Sequence, residues 1–400
     1  MNILIIFYNN NGLYPIKGNS TRVWCLVQAL INQDFNISLL HYKKSNEIED
    51  LNLKNKCNVY YHKSFKLFAL KEKFFNDINP FLILKLLKIL KNNKFDIIQL
   101  EYPFGFISLK FLVKNRAFLI YDAHNVEGEM VDISLKNFNR FPKAFYPIIP
   151  IIKKFTKVYE KIVCKFANLI INVSQLDQDY FIKNYKINKN KTVLMQIPSS
   201  INNFIELSKN ESRKKLGLPL NKTIAIFHGA LPHPPNKEAM SLILKKIAPK
   251  FRNSNILFVL AGLNLKKFEK NNVISLGFVE NLEGLLAAAD FAIVPIISGS
   301  GQRVKCSDYI SAGLPFITTK KGIQGIEFVK NNIDCLIYDS INEHFFEGIK
   351  KLYENKNLRE ELHRNLKDKS FLMGKDYYEK RCNKLYSIIE KKLYPNSNSD

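Results

Sequence analysis

The sequence predicts two doubly wound α/β domains, and three observations carry that prediction. Short, near-continuous β-branched and aliphatic runs alternate with helix-period segments along most of the chain, as parallel strands buried on both faces do. The alternation stops and restarts once, after Leu216–Asn221, which divides it into two blocks. The 400 residues exceed what one core usually serves and fit two domains of about 150–200 residues each. With 46% hydrophobic and 24% charged residues, a disordered or collagen-like chain is excluded.

In chain order, the first block reads as strands at Ile3–Tyr8, Ile37–Tyr42, Asp96–Leu100, Ala117–Asp122, Leu169–Val173 and Thr192–Ile197. The second reads as strands at Thr223–His228, Ile256–Ala261, Val273–Leu276, Phe291–Ile296, Pro315–Thr319 and Cys335–Tyr338. Helices fall between them. Val23, Leu26, Val27 and Leu30 sit at i, i+3, i+4 and i+7, with Asn19, Ser20 or Thr21 available as N-cap. The expected layout is an N-terminal domain over 1–202, a polar linker over 203–221, and a second domain over 222–375. A closing helix over 376–395, with Tyr378, Cys382, Leu385, Ile388 and Ile389 as its apolar stripe, is expected to pack back across the domains. No run of about 18 apolar residues occurs, and the N-terminus has no signal-peptide pattern, so a cytoplasmic protein is expected. The six scattered cysteines contain no C-x-x-C pair and suggest neither zinc nor a disulfide framework.

In open α/β sheets, ligands bind beyond the carboxyl ends of strands, where helix N-termini present backbone N–H groups. The most informative such junction is Pro295-Ile-Ile-Ser-Gly-Ser-Gly-Gln-Arg-Val-Lys-Cys-Ser-Asp308. Gly299 and Gly301 allow close backbone approach, and a helix is expected to begin near Gln302. Arg303 and Lys305 place two cations where the helix dipole prefers anions, which makes sense if an anion occupies the site. Asp308, about one turn on, is suited to accept from sugar hydroxyls. Amides and cations for phosphates with a carboxylate for ribose suit a nucleoside diphosphate. Asp177-Gln-Asp179, by contrast, reads as the acidic first turn of a helix and not as a metal site.

The string Gly299-Ser-Gly-Gln-Arg-Val-Lys-Cys-Ser-Asp-Tyr-Ile-Ser-Ala-Gly-Leu-Pro315, closed by Gly322-Ile-Gln-Gly-Ile326, resembles the donor-site segment of family-4 glycosyltransferases of the GT-B fold. It is most similar to the branch with a G-x-G-x-R-x-K motif. Phe227-His-Gly-Ala-Leu-Pro-His-Pro-Pro-Asn-Lys-Glu-Ala239 and Leu276-Gly-Phe-Val-Glu280 resemble other parts of that branch. Pro15-Ile-Lys-Gly-Asn-Ser-Thr-Arg22 and Tyr121-Asp-Ala-His-Asn-Val-Glu127 match weaker N-terminal patterns.

The resemblance implies a retaining, metal-independent transfer of a sugar from a nucleotide-diphosphate donor to a glycan or lipid-linked acceptor, in cell-surface polysaccharide or lipopolysaccharide synthesis. It implies no cofactor and no metal. Gly229, Gly299, Ser300, Gly301, Arg303 and Lys305 would hold the donor diphosphate, Asp308 the ribose, and Phe278 would lie near the base. Ser300 stands where many relatives carry a glutamate that contacts the donor sugar, which leaves the sugar open. His124 would contact the transferred sugar or the acceptor as the catalytic residue, against the simpler reading of a strand-end histidine beside Asp122 or Glu127. Gly18, Arg22, Asn125, Glu127 and His228 would line the acceptor side or the cleft. A sugar-nucleotide epimerase of similar fold and a catalytically silent scaffold remain as alternatives.

The net charge is +24, from 60 Lys and Arg against 36 Asp and Glu. Lysine outnumbers arginine and Asn and Ile are abundant, so an A/T-rich genome accounts for part of it. The segments Lys63–Phe75 and Asn139–Lys157 interleave lysines with aromatic and aliphatic residues in a pattern suited to an anionic membrane surface. They would place the protein peripherally on the inner face of the cytoplasmic membrane. No helix-turn-helix, RNP-like or zinc signature supports nucleic-acid binding.

Overall fold

A computed structural model describes residues 1–7, 18–42, 55–62, 79–114, 116–136, 143–201 and 207–395. It comprises two units: Met1–Ile197 with Asp376–Asp400, and Pro198–Lys375.

In the first unit, the apolar runs form β1 (Asn2–Phe7), β2 (Asn36–Tyr42), β3 (Asn58–His62), β4 (Ile97–Leu100), β5 (Phe118–Ala123), β6 (Leu169–Asn172) and β7 (Thr192–Leu194). They make one parallel sheet in the order β3-β2-β1-β4-β5-β6-β7. Successive side chains alternate between faces. Leu4 and Ile6 enter one core with Tyr121, Tyr159 and Phe181. Ile3, Ile5 and Phe7 enter the other with Val23, Leu26 and Leu30. Burial on both faces is why these strands read as unbroken apolar runs.

The second unit holds β8 (Thr223–His228), β9 (Ile256–Ala261), β10 (Phe268–Lys270), β11 (Val273–Gly277), β12 (Phe291–Val294), β13 (Phe316–Thr319) and β14 (Leu336–Tyr338). Their order is β10-β11-β9-β8-β12-β13-β14, and within this sheet β10 is antiparallel to its neighbour. In each sheet the chain winds outward one way and then crosses back, so the order reverses at β1/β4 and at β8/β12. Those reversal points are where adjacent connections part and leave a crevice beyond the strand ends.

Several expectations are corrected. β3 and β10 lie at sheet edges and were not foreseen: β3 is half-exposed and polar-flanked, and β10 has only three residues, Phe-Glu-Lys. The first helix spans Gly18–Ile31, so Asn19, Ser20 and Thr21 lie inside it and cannot be its cap. The stretch 203–221, expected as a linker, is partly outside the described residues. Its remainder folds into the second unit as a helix over Lys209–Lys215. Arg213 anchors that helix, donating to Asp290 Oδ2 at 2.6 Å and to the carbonyls of Ala288, Leu220 and Lys222.

The helix Lys375–Leu393 belongs to the first unit and completes its core with Tyr378, Cys382, Tyr386 and Ile389. Tyr386 takes the place foreseen for Ile388, which is exposed. Asp177 sits in the first turn of the helix Gln175–Tyr185, where Ser174 accepts from its amide and donates to its carboxylate. Among the described residues, no helix is long and apolar enough to cross a membrane.

Candidate functional site

Each unit gathers its chemistry at its reversal point. In the second unit, β8 ends at His228-Gly229 and β12 leads into the loop Ser298–Gly301. Gly299 and Gly301 have φ of 99° and 75°, a left-handed backbone that a side chain would strain. A Cβ on Gly262, after β9, would lie 1.9 Å from the Gly229 carbonyl oxygen, so these strand ends touch backbone to backbone. The helix Val304–Ala312 follows the loop, and the side chain of its N-cap residue, Arg303, does not cap it.

Arg303 and Lys305 stand at that helix start, and both are buried. Arg303 donates to the carbonyls of Ser300 at 2.7 Å and Ser298 at 3.0 Å. It braces the glycine loop from within. The Lys305 ammonium donates to Asn236 Oδ1 at 2.5 Å and sits 4.2 Å above the Phe227 ring. Burial pushes Lys305 down to about 7, because a charged ammonium loses its hydration there. Two cations and a helix N-terminus thus converge on a loop with close backbone access, a ready anion site.

Asp308, expected to meet the ribose, has partners within its own unit. It is almost fully buried, and its Oδ1 accepts from Ser199 Oγ at 2.9 Å and from the Ser200 amide at 2.7 Å. Its Oδ2 lies 3.3 Å from His228 Nε2. A carboxylate has about four acceptor positions, and three are engaged within the unit, so ribose contact would need the remaining one. His228, expected at the acceptor side or cleft, is held within the second unit between Asp308 and the Tyr309 hydroxyl, 3.0 Å from its Nδ1. Phe278, just beyond β11, is 51% exposed and free to meet a planar ring. Ser300 is buried within the loop, its carbonyl taken by Arg303.

In the first unit, Glu101 follows β4, which borders the reversal, and His124 follows its neighbour β5. His124 Nε2 lies 2.7 Å from Glu101 Oε2, and Tyr102 stacks on the imidazole at 5.4 Å. Asp122 is also close by and interacts with His124 through charge, so the expected neighbour is present but the hydrogen bond runs to Glu101. Gln99 bridges Glu101 Oε1 at 2.8 Å and Asp122 Oδ2 at 3.1 Å, and the Tyr386 hydroxyl donates to Gln99 Oε1. Burial raises Glu101 to about 7 and Asp122 to about 6.

Arg22, expected at the acceptor side or cleft, is wholly buried. It donates to both Asp122 oxygens, at 3.0 and 2.5 Å, and to the Met195 carbonyl at 2.8 Å. It holds the network together from within the core. Glu101, Asp122 and His124 bring ligand atoms within 4.8 Å of one another, a spacing a metal ion could use. The donor set argues otherwise, because Arg22 already supplies the positive charge and occupies both Asp122 oxygens.

The turn carrying His124 is fixed from below. Glu160 is fully buried and accepts from the amides of Glu127 at 3.0 Å and Gly128 at 3.4 Å. The hydroxyls of Tyr121 and Tyr185 also donate to it, at 3.0 and 2.8 Å. This carboxylate caps the helix Glu127–Lys136 from a distant part of the chain; burial, partly offset by these hydrogen bonds, lifts it to about 7. Glu127, expected to line the acceptor side or cleft, is itself buried in this turn, while Asn125 is half-buried. Gly18 opens the first helix. Sequence reasoning missed Gln99, Glu101 and Glu160. The available signal was Glu101 itself, a carboxylate directly after a buried strand.

Comparisons with known proteins bear on the family and the fold. Residues 222–355 match the model for glycosyl transferases group 1, and residues 16–196 match that for glycosyltransferase family 4. A sequence search of curated proteins finds no match. Among solved structures, sucrose-phosphate synthase from Thermosynechococcus elongatus is similar at TM-score 0.75 and 14% identity, covering 98% of this chain and 99% of that one. HepE of Anabaena, solved with UDP and glucose, gives TM-score 0.70 at 14% identity over 96% and 99%. WaaG, a glycosyltransferase involved in lipopolysaccharide biosynthesis, gives 0.65 at 13% over 99% and 100%. With a family model matching in each unit and this fold throughout, the chain is a glycosyltransferase of the GT-B type.

Proposed function

We propose that the protein transfers a hexose from a nucleotide-diphosphate donor to a hydroxyl of a glycan or lipid-linked acceptor. The reaction retains anomeric configuration, needs no metal, and serves cell-surface polysaccharide or lipopolysaccharide synthesis at the inner face of the cytoplasmic membrane. The observation that carries the donor reading is the start of the helix Val304–Ala312, with Arg303 and Lys305 beside the loop of Gly299 and Gly301. As the glycosidic bond to the donor breaks, negative charge grows on the departing diphosphate. Backbone amides and buried cations fixed in advance stabilise that charge without reorganising. Phe278 offers a face to the base, and Gly229 allows the backbone to approach.

His124 would act on the sugar or acceptor, its tautomer set by Glu101: with a proton on Nε2 shared toward the carboxylate, Nδ1 is the acceptor nitrogen of the neutral ring. HepE, bound to UDP and glucose in its solved form, and WaaG, with its role in lipopolysaccharide synthesis, support the donor and pathway classes.

The test is thermal unfolding with UDP, GDP, ADP, dTDP and CMP in turn, alongside Arg303→Ala. Saturation at a hundred times Kd stabilises the native state by about 2.7 kcal/mol, which is several degrees for a domain of this size. A shift with one nucleotide, lost in the variant, is expected. In turnover, Arg303→Ala should lower kcat/KM by about 10²–10³-fold. No shift with any nucleotide would refute the donor assignment and favour the silent scaffold. Donor turnover without acceptor would favour the epimerase.

A further inference from the structure

Three helices of the first unit, Pro80–Asn92, Phe106–Val113 and Ile149–Phe166, bury their inner faces in one core. Leu82, Leu86 and Ile89 from the first, Phe106, Leu109 and Val113 from the second, and Tyr159 and Val163 from the third all enter it. They are neighbours in one layer, with the Phe106–Val113 helix touching both others. Their outer faces therefore point away from the same core.

Those outer faces are unusual. Phe111 is 71% exposed, Ile151 69%, Phe155 65% and Leu84 64%, with Leu87 and Val158 about half-exposed. Ile151, Phe155 and Val158 recur at intervals of four and three, which sets them on one side of their helix. The same helices carry three, one and five lysines respectively. Their one carboxylate is Glu160, which is fully buried and faces inward. From the neighbouring helix, Glu129 offsets one of the nine by pairing with Lys157 at 2.6 Å. Large apolar side chains in water beside lysines, with no exposed carboxylate on the three helices, match one kind of partner.

We infer that this three-helix face docks on an anionic phospholipid bilayer. Both halves of its chemistry are then satisfied: Phe111, Ile151 and Phe155 enter the acyl boundary while the lysines meet headgroup charge. A second copy of the chain would set lysine against lysine. A nucleic acid would neutralise the lysines and leave the aliphatic side chains in water. The inference goes beyond the transferase reading and stands on the exposed chemistry of these helices. The segment Lys63–Phe75, expected to contribute, lies outside the described residues, as does part of Asn139–Lys157.

The test is flotation of the full chain with vesicles of phosphatidylcholine alone, or of phosphatidylcholine with phosphatidylglycerol, at low and high salt. Binding only to the anionic vesicles, weakened by salt, is expected. The double variant Lys154→Ser/Lys165→Ser should bind about twentyfold to thirtyfold more weakly, at about fivefold per lysine. Ile151→Ser/Phe155→Ser should lose about tenfold or more. These positions are half-exposed or better, so thermal unfolding and the nucleotide-dependent shift should not change. That unchanged shift separates this test from that of the donor site. Equal binding to both vesicle types, no binding, or wild-type binding by both variants would overturn the inference. So would concentration-dependent self-association that Phe155→Ser abolishes, or duplex binding that the lysine pair weakens and the apolar pair does not.

Discussion

Replacing Arg22 by methionine keeps much of its volume and removes three hydrogen bonds at once. Asp122 would be left buried with a single described donor, the Gln99 amide at 3.1 Å. Breaking a buried ion pair from one side costs about 3–5 kcal/mol, because the remaining charge is uncompensated. The cost should depend on pH, with a sign that the structure fixes. Burial already lifts Asp122 to about 6 against the lowering influence of Arg22, compared with about 3.9 in an unfolded chain. Without Arg22 the folded value rises further.

A group whose folded pKa is raised contributes stability fully present below the unfolded value and lost as pH rises through the folded one. The deficit of Arg22→Met should therefore be small near pH 5 and approach its full size near pH 8. The single tryptophan, Trp24, lies two residues away on the same helix, so urea unfolding followed by its fluorescence reports the first unit alone. Adding Asp122→Asn should recover much of the loss at high pH, since no buried charge then remains. An equal deficit at both ends of the pH range, or one below about 1 kcal/mol, would refute the buried-charge argument.

Two further outcomes follow from the sites. Lys305, held at about 7 by burial, should take up a proton when a nucleoside diphosphate binds above pH 7, because an anion favours the ammonium. Calorimetry in buffers of different ionisation heat should show that uptake in the wild type and not in Lys305→Met, and equal uptake in both would count against it. Glu101→Gln keeps the hydrogen-bonding shape beside His124 and removes the charge. It should lower kcat by about 10–100-fold, by analogy with other groups that orient a functional histidine, while nucleotide-dependent thermal shifts stay as in the wild type.

The parallel strands were legible because burial on both faces leaves an uninterrupted apolar run, as in Ile256–Ala261, where all six residues are buried. β3 was not, since an edge strand with one buried residue in Asn-Val-Tyr-Tyr-His has no such run. The glycine loop and its buried cations were legible because they lie within seven residues, from Gly299 to Lys305. The first-unit network was not. Arg22 and Asp122 stand 100 positions apart, and Tyr386 and Gln99 287 apart. Sheet order brings them together, and a single sequence shows no trace of that. Asp308 is a mixed case: the motif singled it out, but its engagement by Ser199 and Ser200, more than a hundred residues earlier, was not legible.

The first unit takes its final helix from Lys375–Leu393, after the whole second unit has been made. On a ribosome working at about 5–20 residues per second, roughly 10–40 seconds pass between emergence of β7 and arrival of that helix. During that interval one face of the nascent sheet, including Gln99 and its neighbours Arg22 and Asp122, waits without Tyr378, Cys382 and Tyr386 to cover it. The second unit, by contrast, is continuous in sequence and can finish while the first is still open. A stop codon in the last few dozen positions would thus spare the second unit and leave the first unfinished, a target for chaperones during synthesis and for proteases afterwards.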